Sequence, residues 1–217
     1  MAESLSSVLP ILPAKEYYLQ GSIHDAAKDI LLHRLRGLCD CTESEPESFH
    51  DHEMVYVIRG VGIGGVQQMP ITVRASQSLE HPEEPWHLRY VGNPEASGTG
   101  VDRSKSAMVR TCIDVGTSDD LIIFLQELGF RLDFEYVTKG YMFRKGRMKV
   151  TVSKVFRVVQ PGKTDSIEPM SLSCLVELSL TAPAGQDAVA DDMKTFAEQL
   201  KPLVQLEKID TRRLQSI

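Results

Sequence analysis

The stretch from Phe130 to Val158 carries the most regular local pattern in the sequence and strongly limits what the chain can fold into. From Phe130 to Tyr136, apolar and charged side chains alternate strictly, which is the period of a half-buried β-strand. The pairs Lys139-Gly140 and Lys145-Gly146 predict two tight turns, so we expect an antiparallel meander of three strands. The alternation changes phase at Ser153-Lys154, which predicts a β-bulge, a device by which sheets bend and close.

Three helices are predicted by apolar residues that recur at helical spacing. They lie between Asp25 and Asp40, between Leu121 and Leu128, and between Val189 and Leu200; Gly129 ends the second and Pro202 the third. One buried face of the second helix is expected to carry Leu121, Phe124, Leu125 and Leu128.

Further strands are predicted on either side of these helices. They are Glu16–Ser22, Met54–Ile58, Ile71–Ala75, Trp86–Val91, Val109–Val115 and a long alternation from Met170 to Leu180. Residues 16–91 and 107–158 both follow the order strand, helix, three strands, which predicts an internal duplication of the arrangement.

About nine strands in sequential antiparallel order with only three helices favour a mainly β (α+β) fold. We expect a many-stranded antiparallel β-barrel packed by about three helices, because closure removes the exposed edges of short strands. At 217 residues, residues 16–214 are expected to form a single barrel domain after a flexible N-terminal segment, residues 1–15.

Composition excludes several classes of protein. A net charge of −6 argues against general nucleic-acid binding, since phosphate contacts need a concentrated positive field. The apolar run Leu9–Leu12 is interrupted by Pro10 and lacks a basic leader, so we expect neither a signal peptide nor a membrane span. Without disulfide-framework spacing, the cysteines are expected to be reduced thiols of an intracellular protein.

Two motifs contain the residue types of known binding signatures but lack the following element or the spacing that those signatures require. Gly60-Val-Gly62-Ile-Gly64-Gly65 resembles a dinucleotide-binding fingerprint, but a strand rather than a helix follows it, so a flexible hairpin loop is predicted. Cys39, Cys41, His50 and His52 are zinc-ligand types, yet each pair is separated by a single residue. This spacing favours buried cysteines and strand-surface histidines over a structural zinc site.

A basic run without acidic residues extends between Tyr136 and Thr164. We favour the interpretation that these basic residues form the polar sides of strands. The alternative is that they bind phosphate or an acidic partner. Its members are Lys139, Arg144, Lys145, Arg147, Lys149, Lys154, Arg157 and Lys163.

Candidate partner-binding residues are aromatic. Tyr141 and Phe143 flank Met142 in a strand that is apolar on both faces, so either a helix of this chain or another chain must cover the outer face. Trp86 and Tyr90 have the composition of interface anchors. Because there is no GxSxG, HExxH or P-loop, we predict no catalytic, cofactor-binding or metal-binding residue, and Cys112 is expected to be a small buried hydrophobe.

Several literal segments resemble the subunit 18 family of the Mediator complex of RNA polymerase II transcription, over a match from about Glu16 to Leu214. They are His33–Asp40, Asp51–Tyr56, Pro85–Tyr90, Ala184–Asp187, Lys201–Leu203 and Leu206–Asp210. The resemblance implies a nuclear, non-enzymatic transcription coregulator of the Mediator head module that takes part in activation. It also implies a barrel that pairs with the related barrel of Mediator subunit 20 and receives the C-terminal helix of Mediator subunit 8. Contact with RNA polymerase II would be indirect, through the rest of the head.

Such a barrel is also similar to the triphosphate tunnel (CYTH-like) enzymes, which place Glu-x-Glu-x-Lys on a strand to bind metal and phosphate. Here Glu43, Glu45 and Glu47 fall in a proline-containing loop without a completing lysine, so strand carboxylates for a metal are expected to be absent. The alternative function is a metal-dependent triphosphate-binding or phosphohydrolase barrel that uses the basic run.

Overall fold

Alternating segments of the chain form strands that pair with their neighbours in antiparallel order. The computed structural model describes residues 14–40, 45–60, 69–97, 100–101, 106–183, 186 and 188–209. Within these residues the strands are β1 Ala14–His24, β2 Glu47–Ile58, β3 Ile71–Ser78, β4 Trp86–Pro94, β5 Ala96–Ser97, β6 Gly100–Val101, β7 Met108–Thr117, β8 Arg131–Lys145, β9 Met148–Val158, β10 Ile167–Pro169 and β11 Ser173–Ala182. The helices are α1 Lys28–Leu38, α2 Leu121–Glu127 and α3 Ala188–Gln199.

Eight of these strands close into a ring. The order is β9-β11-β1-β7-β4-β3-β2-β8, and β8 pairs back onto β9 from Tyr136 opposite Arg157 to Lys145 opposite Met148. The short β10 pairs with the edge of β9 just beyond the stretch that pairs with β11. The predicted antiparallel barrel with three helices is therefore confirmed.

The helices cover the barrel from outside in two groups. α1 and α3 pack over β1, β8, β9 and β11, where Leu31 of α1 and Met193 of α3 are fully buried with strand residues such as Leu178. α2 packs over β2, β3 and β4 through Leu121 and Leu125. Burial of each such side chain contributes roughly 1.5–3 kcal/mol, which fixes the helices to the sheet.

The two halves of the barrel repeat one arrangement. β1-α1-β2-β3-β4 matches β7-α2-β8-β9-β11, and exchanging the halves leaves the order of strands around the ring unchanged. The predicted duplication is confirmed for the order of elements. The second unit differs from prediction, because its third strand is β11, which follows residue 158.

Two predicted irregularities are wrong. Lys139-Gly140 does not turn, because β8 continues through it as one strand paired on both sides. No bulge interrupts the pairing of β8 with β9 at Ser153-Lys154. The phase change there has another cause: β9 leaves β11 after Ser153 and pairs with β10 from Phe156. The ladder with β8 is irregular instead in β2, between Val55 and Tyr56.

Several predicted boundaries also move. β1 begins at Ala14, so Ala14 and Lys15 belong to the barrel, whereas residues 1–13 lie outside the described part of the chain. β2 begins at Glu47, seven residues before the predicted strand, because it pairs with β8 along its whole length.

Two predicted apolar faces are only partly buried. Phe124 and Leu128 of the second predicted helix are 56% and 52% exposed, since the sheet is contacted by Leu121 and Leu125, with Ile122 partly buried beside them. Met170 and Leu172 are exposed as well, because they lie in the break between β10 and β11. From Cys174 to Leu180 the predicted burial of alternate residues is confirmed.

Replacing Gly140 by alanine is expected to destabilise the protein by about 1–3 kcal/mol. A Cβ atom there would lie 2.8 Å from Cα of Ser153 and closer still to the carbonyl oxygen of Val152, so β9 would have to move. The measurement is urea unfolding of the isolated chain. The control is Gly37→Ala in α1, where no atom lies within 4 Å of the added methyl and helix propensity favours alanine. Equal stability of Gly140→Ala and the unchanged protein would contradict the close approach of the strands.

Candidate functional site

The inner face of the barrel, the lumen, is lined by polar side chains. Residues directly opposite each other in antiparallel strands point to the same side of a sheet, and the outer side of these strands is the apolar one that the helices cover. The residues on the inner side include Glu16, Tyr18, Gln20, Asp51, Glu53, Arg74, Arg89, Arg110, Asp114, Tyr136, Lys149 and Glu177.

Glu16 of β1 is the centre of one lumenal cluster and is only 5% exposed. Nε of Arg110 donates to Oε2 of Glu16 at 2.6 Å, and Nη2 of Arg89 donates to Oε1. Nε of Arg89 lies 3.5 Å from Oδ1 of Asp114, and the guanidinium of Arg110 lies 4.1 Å from the ring centroid of Tyr18. Burial alone would raise the pKa of Glu16, but Arg110 and Arg89 outweigh it and hold that pKa below its ordinary value.

A second lumenal cluster lies on β2 and on its neighbours β3 and β8. Nε of Arg74 is 3.7 Å from Oε2 of Glu53. Burial raises the pKa of Glu53, although Arg74 acts to lower it, and burial also raises the pKa of Asp51. Burial raises the pKa of Tyr136 to about 12. Around these three acidic groups, burial therefore favours the neutral form over the anionic one.

The expectation that no strand carries alternating carboxylates is wrong. Asp51 and Glu53 lie two residues apart in β2 and face the lumen together, because β2 begins earlier than predicted. Val55 follows at the position where the tunnel motif has lysine, and the raised pKa values of both carboxyls oppose cation binding. Among the described residues, no group of three or more His, Cys, Asp or Glu side chains is arranged to hold a metal ion.

The lumenal arginines are neutralised within the protein. Arg89 and Arg110 share Glu16, and Arg74 lies beside Glu53. A triphosphate would therefore have to break existing ion pairs to bind these arginines. The arrangement is that of an internal ion-pair network that ties β1, β4 and β7 together.

The predicted basic run does not form one surface. Successive residues of β8 and β9 point to opposite sides of the sheet, which separates Lys149 in the lumen from Lys139 on the outer face. Lys154 pairs with Asp25, and Nη2 of Arg157 lies 2.8 Å from Oε2 of Glu168. The favoured interpretation, the polar sides of strands, agrees with this dispersal.

The four candidate partner-binding residues fall in different environments. Tyr90 and Tyr141 are 37% and 36% exposed on the outer face, and Trp86 is half-buried against the core under α2. Phe143 is fully buried in the core that α1 and α3 share. This chain itself covers Phe143, so a direct contact with a partner would require that core to open.

Tyr141 borders a cavity of about 540 Å³ on the outer face, next to the start of α1. Phe49, Tyr141 and Phe156 contribute its apolar walls, and Lys28 and Lys139 contribute positive charge. Sγ of Cys174 donates to Oδ1 of Asp25 at 3.4 Å beside it, and burial raises the pKa of this thiol.

The weaker motifs of the sequence fall in separate places. Cys39 is buried under α1, Nε2 of His52 lies 2.8 Å from Oε2 of Glu135, and Cys41 lies outside the described residues. Cys112 is buried in β7, as predicted. The glycines of the fingerprint after Gly60 are outside the described residues too, but β2 and β3 are paired as far as Ile58 and Ile71, so no helix follows the motif.

The sequence predicted neither lumenal cluster. Glu16 is separated from Arg89 by 73 residues and from Arg110 by 94, so no local spacing links them. A usable signal existed only for Asp51 and Glu53, which alternate with His52 in the sequence.

Comparison with known proteins decides the family. Residues 15–216 match the family model described as Med18 protein. The chain belongs to the Med18 family. A Med18 relative from Danio rerio, named Mediator of RNA polymerase II transcription subunit 18, is 58% identical over 199 residues, which cover 92% of this chain and 90% of the relative. The relative of the same name from Drosophila melanogaster is 49% identical over 216 residues, covering 98% and 94%.

Two solved structures share the barrel fold of this chain. A chain of the Schizosaccharomyces pombe Mediator head module matches with a TM-score of 0.65 at 14% identity, covering 90% of this chain and 98% of that one. PH1819 from Pyrococcus horikoshii matches with a TM-score of 0.55 at 14% identity, covering 92% and 98%. Both show the barrel fold alone. Within the described part of the chain, no helix is long and apolar enough to cross a membrane.

Proposed function

We propose that this chain is a subunit of the Mediator complex, and that it supports regulated transcription by RNA polymerase II in the nucleus through binding to other subunits of the head module. The observation that carries this proposal is the 58% identity, over nine-tenths of both chains, to a relative that bears that subunit's name. The barrel adds to it, since it matches a chain of a Mediator head module over nearly its whole length.

The proposed role is non-enzymatic. The lumenal arginines are paired with carboxylates, and the alternation of Asp51 and Glu53 in β2 lacks the lysine of the tunnel motif. Titration calorimetry with inorganic triphosphate and magnesium is therefore expected to show no saturable heat. Saturable heat that disappears in Arg74→Gln would favour the alternative, a triphosphate-binding barrel.

The proposed partners are Mediator subunit 20, as a second related barrel, and the C-terminal helix of Mediator subunit 8. The predicted aromatic anchors that remain accessible for such contacts are Tyr90 with Trp86 on one side and Tyr141 on the other. Phe143 is assigned a supporting role beneath the surface because it is fully buried.

Purification of the tagged chain from nuclear extract tests this function. Subunits 20 and 8 and the remaining head subunits are expected to co-purify in stoichiometric amounts. Tyr141→Asp is expected to weaken retention of one subunit, with Ile30→Asp as the control, since Ile30 is an apolar residue on α1 that is more exposed than Tyr141, at 59% against 36%. A chain that purifies without any Mediator subunit would overturn the proposal.

A further inference from the structure

The cavity next to the start of α1 lies on the outer face of β8 and β9, on the other side of the sheet from the lumenal ion pairs. Two directly paired positions line it: Lys139 opposite Lys154, and Tyr141 opposite Val152. Phe156 follows Lys154 two residues later in β9 and points to the same side. With a volume of about 540 Å³, the cavity has the size of a pocket for a small organic molecule.

The two lysines of the cavity face each other across an antiparallel pair, where like charges repel. Lys154 is compensated, because its Nζ pairs with Asp25, and this hydrogen bond holds the pKa of Asp25 below its ordinary value. Lys139 is exposed, and none of the ion pairs among the described residues includes it. The pair therefore leaves one ammonium group without a counter-ion at the edge of the cavity.

The other titratable groups of the cavity do not remove this excess charge. Lys28 and Glu80 carry opposite charges, and burial raises the pKa of the Cys174 thiol, which is neutral near neutral pH. His50 lies opposite Lys139 in β2, and burial together with Lys139 lowers its pKa, so it too is neutral there. The lining thus has three lysines against two carboxylates, a net charge of +1.

Charge and shape together define the ligand that fits this cavity. One excess positive charge suits a monoanion, whereas a polyphosphate would bring its further charges close to the carboxylates of Asp25 and Glu80. Tyr141 and Phe156 offer aromatic surface beside the ammonium groups. An aromatic acid satisfies both conditions, since its carboxylate accepts charge-assisted hydrogen bonds from lysine and its ring packs against the aromatic side chains.

We infer that the cavity between α1, β8 and β9 is a binding site for a small aromatic monocarboxylate, which contacts Lys139 through its carboxylate and Tyr141 and Phe156 through its ring. The inference goes beyond the proposed function, because such a ligand needs no other subunit. The site is also separate from the lumen, whose arginines already have carboxylate partners.

Titration calorimetry of the full chain with 1-naphthoate tests the inference. Saturable binding is expected, and the neutral isostere 1-naphthamide should bind about tenfold more weakly because it lacks the charge-assisted contact. Capped glutamate, N-acetylglutamate α-amide, carries a peptide carboxylate without a ring and should also bind about tenfold more weakly. Absence of saturable naphthoate binding, or equal affinity for the acid and its amide, would overturn the inference. If capped glutamate binds as tightly as naphthoate, the site recognises acidic peptides and its assignment to an aromatic acid is wrong.

Substitutions in β8 locate the site. Lys139→Gln should lower the affinity for naphthoate about tenfold and leave that for naphthamide unchanged, since it removes only the charge. The matched control is Lys145→Gln, because Lys145 is exposed at the end of the same strand and does not line the cavity. Both lysine variants should keep the melting temperature of the unchanged chain. Tyr141→Ala should weaken both naphthyl probes, which a change of charge alone would not do.

These measurements separate the inference from the proposed function. If Lys139→Gln and the unchanged chain bind naphthoate equally, the cavity is not the site, whatever subunits co-purify with the chain. A chain that recovers no Mediator subunit but binds naphthoate through Lys139 would contradict the proposed function alone.

Discussion

Replacing Phe143 by alanine is expected to lower the free energy of unfolding of the isolated chain by about 3–5 kcal/mol. The side chain is fully buried in the core shared by α1 and α3, where its register partner in β9, Val150, is also fully buried. Removal of the ring leaves a cavity between sheet and helices that close packing cannot refill. Urea unfolding of the chain without any partner measures the loss directly.

The neighbouring residue Tyr141 provides the control. It lies on the same side of β8 two residues earlier but is 36% exposed, so Tyr141→Ala is expected to cost about 1 kcal/mol or less. If Phe143→Ala unfolds like the unchanged chain but loses a Mediator subunit on purification, Phe143 is a partner contact and its core role is wrong.

Replacing Glu16 by glutamine is expected to destabilise the barrel by about 3 kcal/mol, at the lower end of what the loss of one partner costs a buried ion pair. Arg89 and Arg110 would keep their charges in the lumen and lose the carboxylate that both contact. Their side chains are 28% and 21% exposed, and this residual solvation moderates the loss. The matched control is Glu95→Gln, which removes a charge from the more exposed pair with Lys15 and should cost at most about 1 kcal/mol.

The dependence of this loss on pH has a definite sign. The pKa of Glu16 in the folded chain lies below its ordinary value of 4.5. The carboxylate therefore contributes stability that is fully present above pH 4.5 and disappears as the pH falls through the folded pKa. The difference in unfolding free energy between the unchanged chain and Glu16→Gln should be largest near neutral pH and shrink in acid. If this difference in unfolding free energy were equal at all pH values, the ion pairs of Glu16 with Arg89 and Arg110 would not be its cause.

The order of elements was predictable because it depends on local periodicity. Alternation over β11 and helical spacing over α3 each reflect one buried face, and the structure keeps both. Gly140 was misinterpreted because a glycine before a short apolar run is typical of a turn. The actual requirement is the close approach of β9, whose Ser153 is 13 residues further along and invisible to a local pattern.

The lumenal ion pairs, in contrast, could not be predicted from local patterns in the sequence. Glu16, Arg89 and Arg110 come from the three neighbouring strands β1, β4 and β7, so only the pairing of these strands brings them together. The basic run, by contrast, was conspicuous in the sequence but has no common surface, since neighbours in a strand face opposite sides. Charge that is contiguous in sequence is dispersed over the two faces of a sheet, and charge that is distant in sequence is brought together by strand pairing.

Closure of the ring between β8 and β9 also determines how the barrel can be recognised. All eight ring strands have hydrogen-bonded neighbours on both sides, so a partner cannot extend the ring by adding a strand of its own to an open edge. Recognition of the ring strands must then depend on side chains, whereas β10, at the end of the described sheet, pairs with β9 on one side alone. Because side-chain contacts concentrate affinity in a few anchors, we expect single substitutions on the ring to detach the proposed partners one at a time.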